Sequence, residues 1–369
     1  MEKVYHNPRS AVNTALRIEP SAEELSQFGE NLPLRLLKYD FEKYRPIIER
    51  GIAEYNKKKY GDPSKLYHDR RKRGGGRPPL DPVLMFKVVL LGVLTRLSDL
   101  ALSFMIADST SYRIFLGVQP DFTVSCKTIW KYREIFAKTS VFQIIFQQHV
   151  FELQDKELMS TKGALIVDGS FVEAPKQRNS KEVNDKIKKG VDPELIWPGE
   201  KNAVRRRHKD VDASWTKKGD ETHYGYKINV LVDSDSKLIL CGYTSTAKMH
   251  DSQALDKLLS DEDKGRTLYG DSAYAGKPQQ ELTESFGLNH EFCEKGAKGH
   301  PLSESQKLAN REKSAIRCRI EHIFGFIEMS MGGSFVRSVG RARAAGYQFA
   351  TMFLYNLNRQ AFLQKKAAA

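Results

Sequence analysis

Three acidic residues, Asp168, Asp271 and Glu321, stand where a metal-dependent phosphoryl-transfer site needs carboxylates. Asp168 closes the apolar run Ala164-Leu165-Ile166-Val167 and precedes Gly169-Ser170. Asp271 closes a second run, Leu268-Tyr269-Gly270, and precedes Ser272-Ala273. Glu321 lies in a long amphipathic helical pattern, one turn after Arg317. Two carboxylates at strand ends and one on a helix can hold a pair of divalent cations, which activate a water and stabilise the leaving oxygen of a phosphodiester. Mg²⁺ suits such a set, because it prefers carboxylate oxygens and retained waters to a closed protein cage. The same residues have plainer uses. Asp-Gly and Asp-Ser open turns, and Glu321 can pair with Arg317 across one helical turn. Asp210 and Asp212 are rival acids, but no strand pattern leads into them.

The elements that must carry these acids change character along the chain. Residues 1–80 hold a helical pattern from about Glu23 to Tyr55, followed by a basic linker from Lys57 to Pro79 that includes Arg70-Arg71-Lys72-Arg73 and three glycines. Asp81-Pro82 then starts a helix, a capping residue followed by proline in the first turn. Residues 81–157 read as all-helical, with a helix from near Ser125 through Ile129, Trp130 and Phe136. From 158 to 331 short strands appear. Tyr224, Tyr226, Ile228, Val230 and Val232 alternate with the period of a half-buried strand. Asp233 to Ser236 turns the chain, and Leu238 to Tyr243 returns as the second arm of a hairpin. Open sheets place ligand sites beyond the carboxyl ends of their strands, which is where both aspartates fall. Asp251 is placed to cap a helix through Leu255 and Leu259, and a long helix covers Ser303 to about Met329. Residues 332–369 form a C-terminal helix. A polar, basic insertion occupies about 175–221.

At 369 residues, two or three domains are expected. The formal charge of +13 favours an anionic partner, with nucleic acid first. The insertion carries Arg205-Arg206-Arg207 and Trp215-Thr216-Lys217-Lys218, cations beside an aromatic that could track phosphates and stack on an exposed base. Lys127, Lys131 and Arg133 lie on the helix beginning near Ser125, which could enter a groove as in a helix-turn-helix. Cys126, Cys241, Cys293 and Cys318 form no metal or disulfide spacing, which fits a reducing cytoplasm. The most apolar stretch, Val88 to Leu94, is too short to span a bilayer. A soluble, cytoplasmic, nucleoid-associated protein of bacterial type with no membrane partner is expected.

Several ordered blocks resemble the DDE transposases of the insertion-sequence-5 group. The segment Ile166-Val167-Asp168-Gly169-Ser170-Phe171 to Asn179 is similar to the first catalytic block. Asp212 to Gly219 and His223-Tyr224-Gly225-Tyr226-Lys227 follow it. His250-Asp251-Ser252-Gln253 and Tyr269-Gly270-Asp271-Ser272-Ala273-Tyr274 are similar to the second block, and Arg317 to Gly325 to the third. Gly75 to Lys87 resembles the group's N-terminal domain, so the resemblance spans about 70 to 360. It implies a ribonuclease H-like mixed-sheet α+β core (α/β in parts) preceded by an all-helical DNA-binding domain.

The resemblance further implies that Asp168, Asp271 and Glu321 are the catalytic, metal-holding triad. Asp168 would bridge two Mg²⁺ ions, with Mn²⁺ as a substitute, and each of the others would hold one. Water would free a 3′-hydroxyl at the element's end, and that hydroxyl would attack target DNA. The partners implied are double-stranded DNA, as transposon ends and target, and a second copy of the chain. Arg317 fills the family's arginine position, and Arg317 and Lys227 are expected DNA contacts. His250 and Asp251 are expected to support the triad. Ser314 stands where the family has Tyr, and Glu328 where it has Lys. A nuclease that cuts without joining and a DNA-binding protein that has lost catalysis are the alternative readings.

Overall fold

A computed structural model describes residues 32–63, 79–297 and 299–368. The basic run from Arg70 to Pro78 and the start of the expected N-terminal helix lie outside the described residues. The chain divides into two compact units, 1–146 and 147–369.

The first unit is helical: α1 (Arg45–Tyr60), α2 (Pro82–Thr95), α3 (Asp99–Asp108), α4 (Thr110–Leu116), α5 (Cys126–Lys138) and the start of α6 (Val141–Asp155). Lys57, Lys58 and Lys59 belong to the last turn of α1 rather than to a linker. Cations are favourable there beside the orphaned carbonyls, and Gly61, left-handed at φ 71°, closes the helix. Asp81 caps α2 as the sequence suggests: its Oδ1 accepts the Leu84 N–H at 2.9 Å, and Arg45 donates to its Oδ2 at 2.8 Å. The core forms around Phe86, whose ring meets those of Phe41, Phe136 and Phe142. Among the described residues no single helix is long and apolar enough to cross a membrane.

The second unit is a mixed α+β body on a six-stranded sheet. Its strands are β1 (Leu165–Glu173), β2 (Ser214–Lys218), β3 (Glu221–Asp233), β4 (Ile239–Thr246), β5 (Thr267–Gly270) and β6 (Asn289–Phe292), in the order β2-β3-β1-β5-β6 with β4 also on β3. The β3–β4 hairpin is the one expected. The insertion is not a plain loop. It holds α7 (Lys181–Lys188) and α8 (Ala203–His208), and it ends in β2, which pairs with the first half of β3.

Strand alternation sorts β1 into two faces. Leu165 and Val167 join Leu231, Leu255, Leu258, Leu268, Tyr274 and Phe292 in a core on one face. Ile166 and Asp168 look to the other, where Arg317 of α10 (Glu304–Met331) reaches Asp168. Ser303 caps α10 in a reciprocal box with Gln306, and Ile320, Ile323 and Ile327 are its buried stripe. The last helix, α11 (Arg341–Ala368), is pinned to β4 by the buried Asn356, which exchanges two hydrogen bonds with the Ile239 backbone at 3.0 and 2.8 Å. α9 (Lys277–Ser285) links β5 to β6 and packs on β6.

Candidate active site

Asp168 does not end its strand. β1 continues to Glu173, because Gly169 to Glu173 keep pairing with Asn229 to Gly225 of β3. What ends near Asp168 is the parallel pairing with β5, which joins Leu165 to Leu268 and Ile166 to Tyr269 only. β5 stops at Gly270, so Asp271 leaves the sheet beside the point where Asp168 loses its neighbour strand. Two adjacent parallel strands thus deliver two carboxylates to one opening. The Asp271 Oδ1 accepts the Ala273 N–H at 2.8 Å, which caps a short turn and fixes the side chain.

Glu321 comes from α10, one turn after Arg317. The Arg317 guanidinium lies between two of the acids. It donates to Asp168 Oδ2 at 3.0 Å and to Glu321 Oε1 at 3.0 Å. Burial, reinforced by the charges of Asp271 and Asp251, pushes the Asp168 carboxyl up to about 6, against the opposing pull of the Gly169 N–H and Arg317. Tyr274 lies below with its hydroxyl buried and, among the described residues, without a hydrogen-bond partner. Burial raises its ionisation far above the usual phenol range, with Asp251, Asp168 and Asp271 adding to the effect.

Among the described residues no three His, Cys, Asp or Glu side chains converge closely enough to chelate a cation as they stand. Arg317 takes up two of the oxygens that would do so. The donor chemistry nevertheless fits a hard divalent ion: carboxylate oxygens alone, one of them destabilised as a bare anion. Withdrawal of the guanidinium would free carboxylate oxygens on both Asp168 and Glu321.

The other expected site residues are distributed as follows. His250, not Asp251, caps the 3-10 helix Asp251–Lys257, with Nδ1 facing Ser252 Oγ at 2.7 Å. The Asp251 carboxylate turns instead toward Lys227, whose Nζ lies 3.0 Å from its Oδ1. Lys227 is only 8% exposed, so it presents no free ammonium to DNA. Lys217 and Lys218 are exposed on β2, near the exposed Trp215. Arg205 and Arg207 are exposed on α8, whereas Arg206 folds back onto the Trp197 and Gly199 carbonyls at 2.6 and 2.9 Å. Lys127 and Lys131 belong to the helical unit, on α5, where Arg133 pairs with Asp99 at 2.7 Å. Glu328 is exposed near the end of α10.

The rival acids have structural employment. Asp210 is buried and accepts the Tyr226 hydroxyl at 2.7 Å, the Ala213 N–H at 2.9 Å and the Gly340 N–H at 3.0 Å. Asp212 accepts the Arg341 N–H at 2.8 Å, at the start of α11. Tyr274 and the Lys227–Asp251 pair were not legible as site features, because burial and cross-strand neighbours decide them.

A family model described as the transposase DDE domain matches residues 159–357, more than half of the chain. The chain belongs to the DDE transposase family. A second model, described as Transposase domain (DUF772), matches residues 41–134 of this transposase. Among solved structures, the cryo-EM structure of a piggyBac transposase synaptic complex with hairpin DNA is similar over 90% of this chain and 82% of that one, at 12% identity and a TM-score of 0.41. Membership makes the transposase a nucleotidyl-transfer enzyme of a family that generally uses divalent metal ions.

Proposed function

We propose that this transposase, of the insertion-sequence-5 group, binds the terminal inverted repeats of its element and performs cleavage and strand transfer at Asp168, Asp271 and Glu321. The observation that carries the reading is the meeting of β1 and β5. It brings Asp168 and Asp271 from adjacent strands to one opening, with Arg317 tying Glu321 to Asp168. This reading carries with it a ribonuclease H-like core.

The three carboxylates would hold the divalent ions, which supply Lewis-acid stabilisation of a phosphodiester and lower the pKa of a bound water. The chain's own residues do the positioning. Asp168 is fixed by the Gly169 N–H and Asp271 by the Ala273 N–H, so neither must reorganise when charge develops. Arg317, freed from Asp168 and Glu321, is placed to meet a DNA phosphate, for which its planar fork is suited. Lys217 and Lys218 extend positive charge along β2, and the helical unit with α5 contacts the element's ends. Joining two ends requires two active sites, so a homodimer forms on DNA.

The test is a cleavage assay with DNA carrying the element's own ends, with Mg²⁺ or with EDTA. Metal-dependent nicking that leaves a 3′-hydroxyl, followed by joining of precut ends to target DNA, supports the reading. Nicking without joining would reassign the chain as a nuclease. End binding without any nicking would identify a DNA-binding protein that has lost catalysis.

A further inference from the structure

Gly169 follows Asp168 in β1, so the side of it that lacks a side chain faces away from α10. Two oxygens press on it there. A methyl group at Gly169 would lie 2.7 Å from Asn229 Oδ1 and 2.8 Å from Asp251 Oδ1. Asn229 is the cross-strand partner of Gly169 and is 1% exposed. Both oxygens are buried and neither accepts a hydrogen bond among the described residues. Lys227, two positions before Asn229 and on the same face, stands in ion-pair contact with Asp251 Oδ1 at 3.0 Å and donates to the Met249 carbonyl at 3.0 Å.

A buried carboxylate is costly unless paired, and replacing such a pair by apolar groups often stabilises a fold. Stability alone is thus a weak reason for Lys227 and Asp251 to meet here. The pair does have a geometric consequence. It holds the Asp251 carboxylate against the peptide that directs the Asp168 side chain.

Building on the proposed function, we propose that Asp251, held by Lys227, is a positioning residue for the triad: it braces the backbone at Gly169 and so fixes the Asp168 carboxylate toward the divalent cation. Asp251 does not touch the reacting atoms; it acts through Asp168. Lys227, in this role, is an internal counterion rather than a DNA contact.

The experiment uses the full chain and reads Mn²⁺ affinity by paramagnetic resonance without DNA, alongside end binding, a urea midpoint and Mg²⁺-dependent nicking. Asp251→Asn is expected to weaken Mn²⁺ binding about tenfold and to slow nicking at low Mg²⁺, with rescue as Mg²⁺ is raised. End binding should stay within about twofold of wild type. Mn²⁺ affinity and nicking within twofold of wild type would overturn the proposal. So would a nicking loss that follows only the unfolded fraction. Should Asp251→Asn fold poorly, the double variant Lys227→Gln, Asp251→Asn removes both charges of the pair, and the same loss of Mn²⁺ affinity is expected from it. Asp271→Asn serves as the reference. If that variant binds Mn²⁺ as well as wild type, the assignment of the triad fails, independently of Asp251.

Discussion

Arg317 and Asp168 are joined by a 3.0 Å hydrogen bond, and the other arm of the same guanidinium holds Glu321. The cation that the triad would bind needs the oxygens that Arg317 now occupies. Arginine and metal would therefore compete for the site, and binding a metal there would require Arg317 to let go of both carboxylates. Charge-assisted bonds of this kind are each worth about 1.5–3 kcal/mol when shielded from water, less for Glu321, whose side chain is 58% exposed. Arg317→Gln should tighten Mn²⁺ binding by the DNA-free protein by about tenfold, while reducing nicking of bound ends. Unchanged Mn²⁺ affinity in a titration of the variant would show that the two do not compete.

Asp168 also makes a stability prediction. Its folded-state carboxyl lies at about 6, above the ordinary carboxyl value of 3.8, with burial the leading cause. The folded protein then holds a proton that the unfolded chain releases. Stability from this group is complete below about pH 4 and is lost as pH rises through about 6. In EDTA at pH 8, Asp168→Asn should be more stable than wild type by about 1–2 kcal/mol, after allowance for the lost Arg317 contact. The advantage should vanish near pH 3.5, and nicking should fall at least about a thousandfold at every pH. Denaturant titrations at both pH values measure the first effect. A variant less stable than wild type at pH 8 would contradict it.

Local patterns made some of this visible in the sequence and hid the rest. Ser303 with Gln306, and the apolar spacing of Ile320, Ile323 and Ile327, announce α10 and so place Glu321 and Arg317 on one helix. The run into Asp271 ends where β5 ends. The run into Asp168 stops in hydrophobicity but not in pairing: Gly169 and Ser170 weaken the strand signal, while β3 supplies partners as far as Glu173. β2 was concealed because an edge strand rich in lysine and threonine resembles a solvated loop until its partner is known. Lys227 read as a surface cation for a similar reason, since its burial depends on Asp251 and Met249, remote in sequence.

Asp210 separates structural from catalytic acids. Its carboxylate collects the Tyr226 hydroxyl and backbone N–H groups from Asp212, Ala213 and Gly340, all at 2.7–3.0 Å. Asp210→Ala would leave these donors buried without an acceptor, a loss of about 3 kcal/mol or more. The thermal midpoint should drop by several degrees, whereas nicking per folded molecule at a permissive temperature should stay within a few-fold of wild type. Asp271→Asn should do the reverse. A stable but inactive Asp210→Ala protein would return Asp210 to the list of metal-holding residues.

The basic residues of the insertion should divide by what their side chains already hold. Lys217 and Lys218 are exposed on β2, with Trp215 beside them. Arg206 is committed to the Trp197 and Gly199 carbonyls. Each lysine that neutralises a phosphate releases counterions and adds about 0.9 to the slope of log affinity against log salt. Lys217→Ala and Lys218→Ala should each weaken end binding and lower that slope by about one. Arg206→Ala should leave the slope unchanged and instead loosen the segment around α8, seen as faster amide exchange. Anisotropy titrations from low to high salt distinguish the two patterns. A fall in slope for Arg206→Ala equal to that for the lysines would mean that its guanidinium leaves those carbonyls to meet DNA.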